Sequence, residues 1–400
     1  MSKKISLLEP SATLSLNAKA KALQLAGHDV LNFSVGEPDY PALKGVVDHC
    51  IDALQKGQTR YGPAGGGPVL RQAISTKLLK ENQLEYAPEQ IVCGIGAKEI
   101  LFHTFLSLIN EGDEVILLAP YWVSYRDQVL AAGGKPVIVP MAEDYKNNSL
   151  NFSGLEAALS PKTKIVVVNS PNNPAGFVYS KEQIRQLGDI LRDLNVWIIS
   201  DEIYEYLAFD KPHYSFLNIN PELYNRTILV NGLSKSFAMT GFRVGYGAGP
   251  KQVIELVKRL QEHSSSCLPP FIEHAAVYAV GQGAAAMQTD IAGLKERKNL
   301  IQSLLKEKLP QLNYIPAEGA FYVFIDLRNA LKSSNSLNPS TSNEFCRFLL
   351  EKHLMAAVPG EVFGVDGFIR LSYATKPETI TKGIDRLAQA IKEINHGKLH

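Results

Sequence analysis

From residue 89 to residue 248, the sequence alternates short apolar runs with helix-like segments. No other feature constrains the fold as strongly. The runs have strand length and fall at 90–93, 114–118, 136–139, 164–168, 197–200, 227–230 and 244–248. Near-continuous apolar strands separated by helices predict a mostly parallel sheet with helices on both faces. Ligands of such sheets bind beyond the carboxyl ends of the strands. The stretches with reactive side chains (96–98, 122, 173, 201–204 and 235) each follow a strand, and Trp122 is expected within a helix that follows Pro120.

The stretch 231–246 contains the two residues with the clearest chemistry. Lys235 follows the apolar run 227–230, and Arg243 lies eight positions further on, between Gly241 and Gly245. A lysine amine forms a Schiff base with a carbonyl and becomes nucleophilic when burial lowers its pKa. A guanidinium grips a phosphate through paired hydrogen bonds. Together these residues suit a phosphorylated aldehyde that is held covalently and by its anion, as pyridoxal phosphate is.

Composition limits the class of protein. A chain of 400 residues predicts more than one domain. Its 41 basic and 40 acidic residues leave a net charge of +1, so we expect neither a nucleic acid nor a membrane as partner. The four widely spaced cysteines and the lack of a signal peptide or membrane span favour a cytoplasmic protein. The histidines form no ligand-spaced cluster, so no metal site is predicted.

The two ends of the chain have a different pattern from the middle. A helix is predicted at 11–27, a strand at 30–33, and helices at 41–56 and 70–84. After a long helix at 285–309 come strands at 322–325 and 368–371, helices at 341–353 and 377–395, and a polar loop at 332–340. We therefore predict a small α+β domain from residues 1–38 and 285–400, and a large cofactor-binding domain from residues 39–284.

Eight short segments in chain order carry a resemblance to a known enzyme family. They are Ser-Ala-Thr (11–13), Val-Gly-Glu-Pro-Asp (35–39), Arg-Tyr-Gly-Pro (60–63), Pro-Tyr-Trp-Val-Ser-Tyr (120–125), Asn-Ser-Pro-Asn-Asn-Pro (169–174), Ser-Asp-Glu-Ile-Tyr-Glu (200–205), the lysine stretch (231–246) and Ile-Arg-Leu-Ser-Tyr (369–373). With these segments the chain resembles the class I aminotransferases, which are fold-type I pyridoxal-phosphate enzymes, and most of all the bacterial aspartate aminotransferases. The resemblance implies an α/β fold, with a large domain built on a mostly parallel, seven-stranded sheet between helices and a smaller α+β domain.

The resemblance implies three catalytic residues. Lys235 would hold the cofactor as a Schiff base and later carry the proton that leaves the substrate Cα. Asp201 would keep the pyridine nitrogen protonated, which makes the ring an electron sink. Tyr204 would hydrogen-bond the ring hydroxyl.

Further cofactor contacts follow from the same resemblance. Asn173 would share the ring hydroxyl with Tyr204, and the indole of Trp122 would stack on the ring. The phosphate would be bound by the residues Gly96, Ala97, Lys98, Ser234 and Arg243, the first three through a helix start. Tyr61 would reach the phosphate from the neighbouring subunit, so a homodimer with shared active sites is expected.

The implied substrate contacts come from five positions. Arg370 would grip the α-carboxylate in a bidentate manner, Gly36 would let the substrate approach the backbone, and Lys98 would hold a distal carboxylate. Trp122 and Asn173 would also touch the substrate. In two places the chain departs from the family: Gly232 stands where a phosphate-binding serine is frequent, and Glu9 stands where the subgroup has a basic residue. Glu9 bears on whether bulkier acids such as prephenate are accepted.

The residues alone leave other interpretations open. Lys235 could be a solvated lysine, and Trp122 a core residue. Asp201 and Asn173 could simply shape turns, and Arg370 could lie on the surface of its strand.

The expected activity is a ping-pong transfer of an amino group, with L-aspartate as the main candidate donor and 2-oxoglutarate as acceptor. The alternatives are a broad-range or aromatic aminotransferase, a C–S lyase on the same scaffold, or a non-catalytic regulatory module. The last usually carries a DNA-binding domain ahead of the fold, for which a first helix near residue 11 leaves no room.

Overall fold

The computed structural model describes residues 5–141, 150, 152–332 and 339–396. The α-helices are α1 (Ala12–Leu25), α2 (Lys44–Gln55), α3 (Pro68–Asn82), α4 (Ala97–Leu108), α5 (Ser124–Ala131), α6 (Ser153–Ala158), α7 (Lys181–Leu191), α8 (Phe216–Ile219), α9 (Lys251–Glu262), α10 (Pro270–Gln282), α11 (Gln288–Lys308), α12 (Arg328–Lys332), α13 (Ser342–His353) and α14 (Pro377–His396). The strands are β1 (Leu31–Asn32), β2 (Ile91–Ile95), β3 (Glu114–Ala119), β4 (Lys135–Pro140), β5 (Thr163–Asn169), β6 (Trp197–Asp201), β7 (Thr227–Gly232), β8 (Val244–Ala248), β9 (Asn313–Ile315), β10 (Tyr322–Asp326), β11 (Met355–Ala356), β12 (Val358–Pro359) and β13 (Phe368–Ser372).

The largest sheet has seven strands in the order β2-β8-β7-β6-β5-β3-β4. Strand β8 runs antiparallel to both its neighbours, and the other pairs are parallel. All seven predicted apolar runs lie in this sheet, so the predicted α/β architecture is confirmed. Since the strands alternate with helices along the chain, their polar end residues meet at one edge.

Strand β3 shows why the sheet is covered on both faces. Its side chains alternate between two hydrophobic cores, with Ile116 and Leu118 in one and Val115 and Leu117 in the other. All four are buried. A strand with both faces buried has no need for polar residues until it ends, which accounts for the unbroken apolar runs.

The C-terminal part forms a second sheet, antiparallel, in the order β12-β13-β10-β9. Helices α11 and α14 pack against each other and supply much of the hydrophobic core on this side. The N-terminal segment joins this region through a parallel pairing of β1 with β11. The structure thus contains the predicted small α+β region, while the proposed domain limits remain a prediction.

Several predicted boundaries were wrong. Helix α2 begins at Lys44 and not at Pro41, because the backbone is still extended at Leu43 (φ −51°, ψ 137°). Helix α5 begins at Ser124, so Trp122 lies in the turn before the helix and not within it. Helix α3 begins earlier than predicted, at Pro68, whose fixed φ suits a first helical position.

Helices α9 and α10 were not predicted at all. Of the predicted polar loop at 332–340, residues 333–338 lie outside the described residues. No helix in the described ranges is both long enough and apolar enough to span a bilayer.

Candidate active site

A cavity of about 530 Å³ opens at the carboxyl ends of the parallel strands, between the two sheets. The predicted site residues that line it are Gly36, Ala97, Lys98, Trp122, Asn173, Asp201, Tyr204, Ser234, Lys235, Arg243 and Arg370. The fold therefore brings together side chains from positions 36 to 370. Gly96 adjoins the lining at the start of α4, whereas Tyr61 lies elsewhere.

Lys235 lies just after β7, with its amine donating a hydrogen bond to the Gly36 carbonyl (Nζ to O, 2.5 Å). Burial lowers the pKa of Lys235 to about 8, and the nearby cations Arg370 and Arg243 add to this effect, whereas Glu37 opposes it. About a tenth of the amine is then neutral at pH 7, far more than at the ordinary lysine pKa. A neutral, confined amine is the form that attacks a carbonyl or accepts a proton.

Asp201 ends β6 and is only 3% exposed. The Tyr125 hydroxyl donates to its Oδ2 at 2.5 Å, and the backbone N–H of Ile203 donates to Oδ1 at 3.2 Å. Burial raises the pKa of Asp201 to about 6, although both hydrogen bonds act to lower it. Such a carboxylate is well placed to pair with a buried cationic ring nitrogen, which would compensate its burial.

The start of α4 forms an anion cradle with Arg243. Gly96 precedes the helix with φ +78°, and a Cβ there would lie 2.5 Å from Nη2 of Arg243. The guanidinium is held by the carbonyls of Thr240 (3.0 Å) and Ile95 (3.4 Å). Free N–H groups at a helix start beside a guanidinium suit a phosphate.

Gly232 has no room for the serine that is frequent in the family. A Cβ at this position would lie 2.8 Å from the Val244 carbonyl on the neighbouring strand β8. The missing hydroxyl is thus tied to the close packing of β7 against β8. Ser234, which is buried and lines the cavity, still offers a hydroxyl on this side.

Arg370 projects from β13 and is 3% exposed. Its Nη1 donates to Asn173 Oδ1 and its Nη2 to the Ser34 carbonyl, both at 2.9 Å. The guanidinium lies over the rings of Tyr322 (4.4 Å) and Phe363 (5.1 Å). Its Nε is buried without a partner in the described structure. A fixed, buried guanidinium with donor capacity left over suits a carboxylate ligand.

Lys98 and Glu9, the two charged residues that bear on the choice of substrate, differ in their surroundings. Lys98 places its ammonium 5.1 Å from the Trp122 ring centroid, and burial together with Arg243 lowers the pKa of Lys98. Glu9, by contrast, is exposed and is not part of the cavity lining; its charge acts on Asp127. The geometry therefore leaves Lys98 as the nearer of the two positions to any bound acid.

Tyr61 is 90% exposed and does not enter the cavity of its own chain. Its position is compatible with action across a subunit interface, which stays a prediction.

Sequence reasoning missed several lining residues, including Thr13, Leu14, Asn17, Ser34, Tyr125 and Tyr322. Tyr125 could have been found, because it closes the segment 120–125 that contains Trp122. Tyr322 carries no such signal, since a tyrosine at the start of an apolar strand is typical of any core.

The donor set fits a phosphorylated aldehyde with a basic ring nitrogen. A cradle that only glycine permits lies at Gly96, a buried carboxylate at Asp201, and a low-pKa amine at Lys235. Beyond these, Arg370 has the unpartnered buried Nε. The cavity therefore offers places for a covalent link, for a phosphate and for at least one carboxylate.

A family model described as aminotransferase class I and II matches residues 28–387 of this chain. The chain therefore belongs to the class I and II aminotransferase family.

Similar proteins cover nearly the whole chain. The probable aspartate/prephenate aminotransferase of Aquifex aeolicus (strain VF5) is 38% identical over 398 residues, which are 98% of this chain and 99% of that protein. The aspartate aminotransferase of Geobacillus stearothermophilus is 38% identical over 388 residues, 97% of this chain and 98% of that protein. The solved structure of Thermus thermophilus aspartate aminotransferase with maleate has a TM-score of 0.90 at 35% identity, with 98% and 99% of the two chains covered. The protein is thus an aminotransferase.

Proposed function

We propose that the protein is a pyridoxal-phosphate-dependent aspartate aminotransferase that passes the amino group of L-aspartate to 2-oxoglutarate in two half-reactions. The observation that carries the proposal is the placement of the Lys235 amine in one cavity with Asp201 and Arg370. The names of the similar proteins support the choice of aspartate.

The cofactor would be held by residues that already surround the cavity. Lys235 would bind it covalently, Asp201 would pair with the ring nitrogen, and Tyr204 and Asn173 would contact the ring hydroxyl. Trp122 would stack on the ring, and the cradle of Gly96, Ala97, Lys98, Ser234 and Arg243 would hold the phosphate. When bound, the cofactor supplies an electron-withdrawing ring that makes the substrate α-proton acidic.

The chain's own residues would orient the substrate and move one proton. Arg370 would bind the α-carboxylate, which fixes the α-carbon relative to Lys235. The Lys235 amine, neutral in part because burial lowers its pKa to about 8, would take the proton from the α-carbon and return it on the cofactor side. Lys98 would bind the side-chain carboxylate of aspartate.

We also propose a cytoplasmic homodimer with shared active sites. The four cysteines are unpaired, as expected of a reducing compartment. Tyr61 and the apolar residues Val47, Ile51 and Leu54 on α2 are exposed on the single chain, and a partner subunit would cover them. Residues 1–38 with 285–400, and residues 39–284, are the proposed small and large domains.

A broad-range aminotransferase is the second candidate. Leu14 on α1 lines the cavity next to polar Thr13 and Asn17, and it offers apolar surface to a neutral side chain. Trp122 adds aromatic surface on the same cavity.

The visible spectrum of the purified protein tests the proposal directly. With L-aspartate and no acceptor, the band of the lysine-bound cofactor should give way to that of the aminated cofactor, and 2-oxoglutarate should restore it. A band that ignores aspartate but responds to phenylalanine or alanine would favour the second candidate. The absence of any band after cofactor addition would contradict the role of Lys235.

A further inference from the structure

Tyr322 contacts Tyr204, Arg370 and Gly36, yet none of the roles above uses it. It opens strand β10, lines the cavity and is 1% exposed. In the antiparallel pairing of β10 with β13, Tyr322 lies opposite Ser372, and Arg370 lies opposite Phe324. Tyr322 and Arg370 are therefore diagonal neighbours on the same face of the sheet, which is within reach of long side chains.

The ring of Tyr322 supports the Arg370 guanidinium, with 4.4 Å between the guanidinium carbon and the ring centroid. Two nitrogens of Arg370 are held by Asn173 and Ser34. The aromatic face fixes the plane of the group in addition to these bonds. A cation over an aromatic face is stabilised further when both are removed from water, as they are here.

The hydroxyl of Tyr322 lies 3.0 Å from the hydroxyl of Tyr204, and both side chains are buried. The same oxygen packs against Gly36, where a Cβ would lie only 2.9 Å away. The Gly36 carbonyl in turn accepts the hydrogen bond from the Lys235 amine. The charged groups that act on the two hydroxyls are Arg370, Asp201 and Glu37.

We propose that Tyr322 is a positioning residue of this aminotransferase, whose hydroxyl orients Tyr204 and whose ring holds Arg370. This inference rests on the proposed function, in which Tyr204 contacts the cofactor and Arg370 binds the substrate carboxylate. One residue of the C-terminal sheet thereby couples the part of the site that tunes the cofactor with the part that binds substrate.

The direction of the hydroxyl bond follows from counting protons. Tyr204 has one hydroxyl proton, and its assigned role gives that proton to the ring oxygen of the cofactor. The bond between the tyrosines must then be donated by Tyr322 and accepted by Tyr204. In a chain of hydrogen bonds in a buried site, the first bond strengthens the second. Loss of the Tyr322 hydroxyl should therefore weaken the bond from Tyr204 to the ring oxygen.

The hydroxyl is tested by titrating the visible band of the cofactor-loaded protein with pH. A hydrogen bond to the ring oxygen favours the form that has lost its proton, so weakening this bond raises the titration midpoint. Tyr322→Phe should raise the midpoint by about 0.5, and Tyr204→Phe by about 1. Because Tyr322 acts through Tyr204, the double variant should match Tyr204→Phe alone.

Tyr373→Phe is the matched control for this titration. Tyr373 is equally buried and donates its hydroxyl to the Ala320 carbonyl at 3.3 Å, but it does not line the cavity. This variant should keep the wild-type midpoint. An unchanged midpoint in Tyr322→Phe, or an equal rise with and without Tyr204, would overturn the proposal for the hydroxyl.

The ring is tested by the binding of succinate, a dicarboxylate that has no amino group to transfer. Tyr322→Phe should bind succinate within about twofold of wild type because the ring remains, whereas Tyr322→Leu should raise the Kd about 3- to 30-fold. Thermal unfolding shows which variants are folded. A folded Tyr322→Leu with wild-type affinity would overturn the role of the ring. These measurements also separate the two proposals. If the wild-type protein shows no visible band after cofactor addition, the proposed function fails. If the wild-type protein shows the band and the Tyr322 variants match it in midpoint and affinity, only the inference about Tyr322 fails.

Discussion

The two sides of the cavity differ in how the chain builds them. On the cofactor side, Asp201 and Lys235 lie at or just after the ends of neighbouring strands β6 and β7 of the large sheet. On the substrate side, Arg370 comes from β13 in the other sheet, and its partners Asn173 and Ser34 lie 197 and 336 residues away in sequence. The first side follows from consecutive strands of one sheet, whereas the second exists only when the two sheets pack together.

The two sides also differ in how firmly they are held. The strand ends of the large sheet are buried on both faces, and Asp201 is enclosed with two hydrogen bonds to its carboxylate. Helix α1, which adds Thr13, Leu14 and Asn17 to the cavity, has Ala20 as its one buried residue, and Leu14 is 65% exposed. The comparison indicates that the strand ends and Arg370 are firmly held, whereas α1, which borders the same cavity, is loosely packed.

The largest loss of activity is expected from replacing Lys235, the proposed nucleophile on the cofactor side of the cavity. Lys235→Ala removes the amine that is proposed to form the covalent link and to move the proton, so transamination should fall by more than about 10⁴-fold. Steady-state assays with aspartate and 2-oxoglutarate measure this loss. The exposed Lys251→Ala serves as the control. Substantial residual activity in Lys235→Ala would show that another group moves the proton.

A second test concerns the cost of burying Asp201. Burial raises its pKa from 3.8 to about 6, so between these values the folded, cofactor-free protein keeps a proton that the unfolded chain has released. The stability contributed by this group is complete below about pH 4 and is lost as pH rises through 6, by up to about 3 kcal/mol. Asp201→Asn has no such titration and should lose less stability over that range.

Urea unfolding of both cofactor-free proteins at several pH values between 4 and 7 measures the difference. Asp189→Asn, which changes an exposed carboxyl, should follow the wild-type curve. Parallel curves for wild type and Asp201→Asn would contradict the raised pKa.

A third test concerns Lys98, which is proposed to bind the side-chain carboxylate of the substrate. Lys98→Gln should lower kcat/KM for aspartate by about 10- to 100-fold, since a hydrogen-bonded charge contributes about 1.5–3 kcal/mol. The effect on alanine or phenylalanine should be much smaller, because they have no side-chain carboxylate. Equal losses for all substrates would place Lys98 with the phosphate alone.

The smallest effect is expected at Tyr61, where the site depends on a second chain. Tyr61→Phe should raise the Kd of the cofactor about 3- to 10-fold, since the phosphate would keep the donors of the cradle and lose one hydrogen bond with a net contribution of about 0.5–1.5 kcal/mol. In mixed dimers of Lys235→Ala and Tyr61→Phe chains, one of the two sites would be free of both substitutions and should recover wild-type affinity. If tight and weak sites do not separate in this way, Tyr61 acts within its own subunit or not at all.

Sequence patterns predicted the cofactor side far better than the substrate side. The run 197–200 predicts a strand, and Asp201 then follows at the edge where ligands of parallel sheets bind. Arg370 was assigned from the resemblance alone, because an arginine inside a strand has no pattern that distinguishes a buried anchor from a surface residue. Helices α9 and α10 were missed although the sequence signals both, since α9 carries Val253, Ile254 and Val257 at helical spacing and α10 contains the apolar run 275–280 after Pro270. The position of Trp122 relative to α5 was misjudged.

By itself, the sequence determined the alternation of strands and helices, the edge at which reactive side chains gather, and the family. These depend on side-chain periodicity and on residues close together in the chain. Tertiary structure alone decided that Tyr125 bonds to Asp201, that Tyr322 lies between Tyr204 and Arg370, and that Gly232 leaves no room for a serine. Such contacts depend on distances of a few ångströms. Pairing and packing within the large-sheet region set the first and the last of them, and the packing of the two sheets sets the contact of Tyr322 with Tyr204.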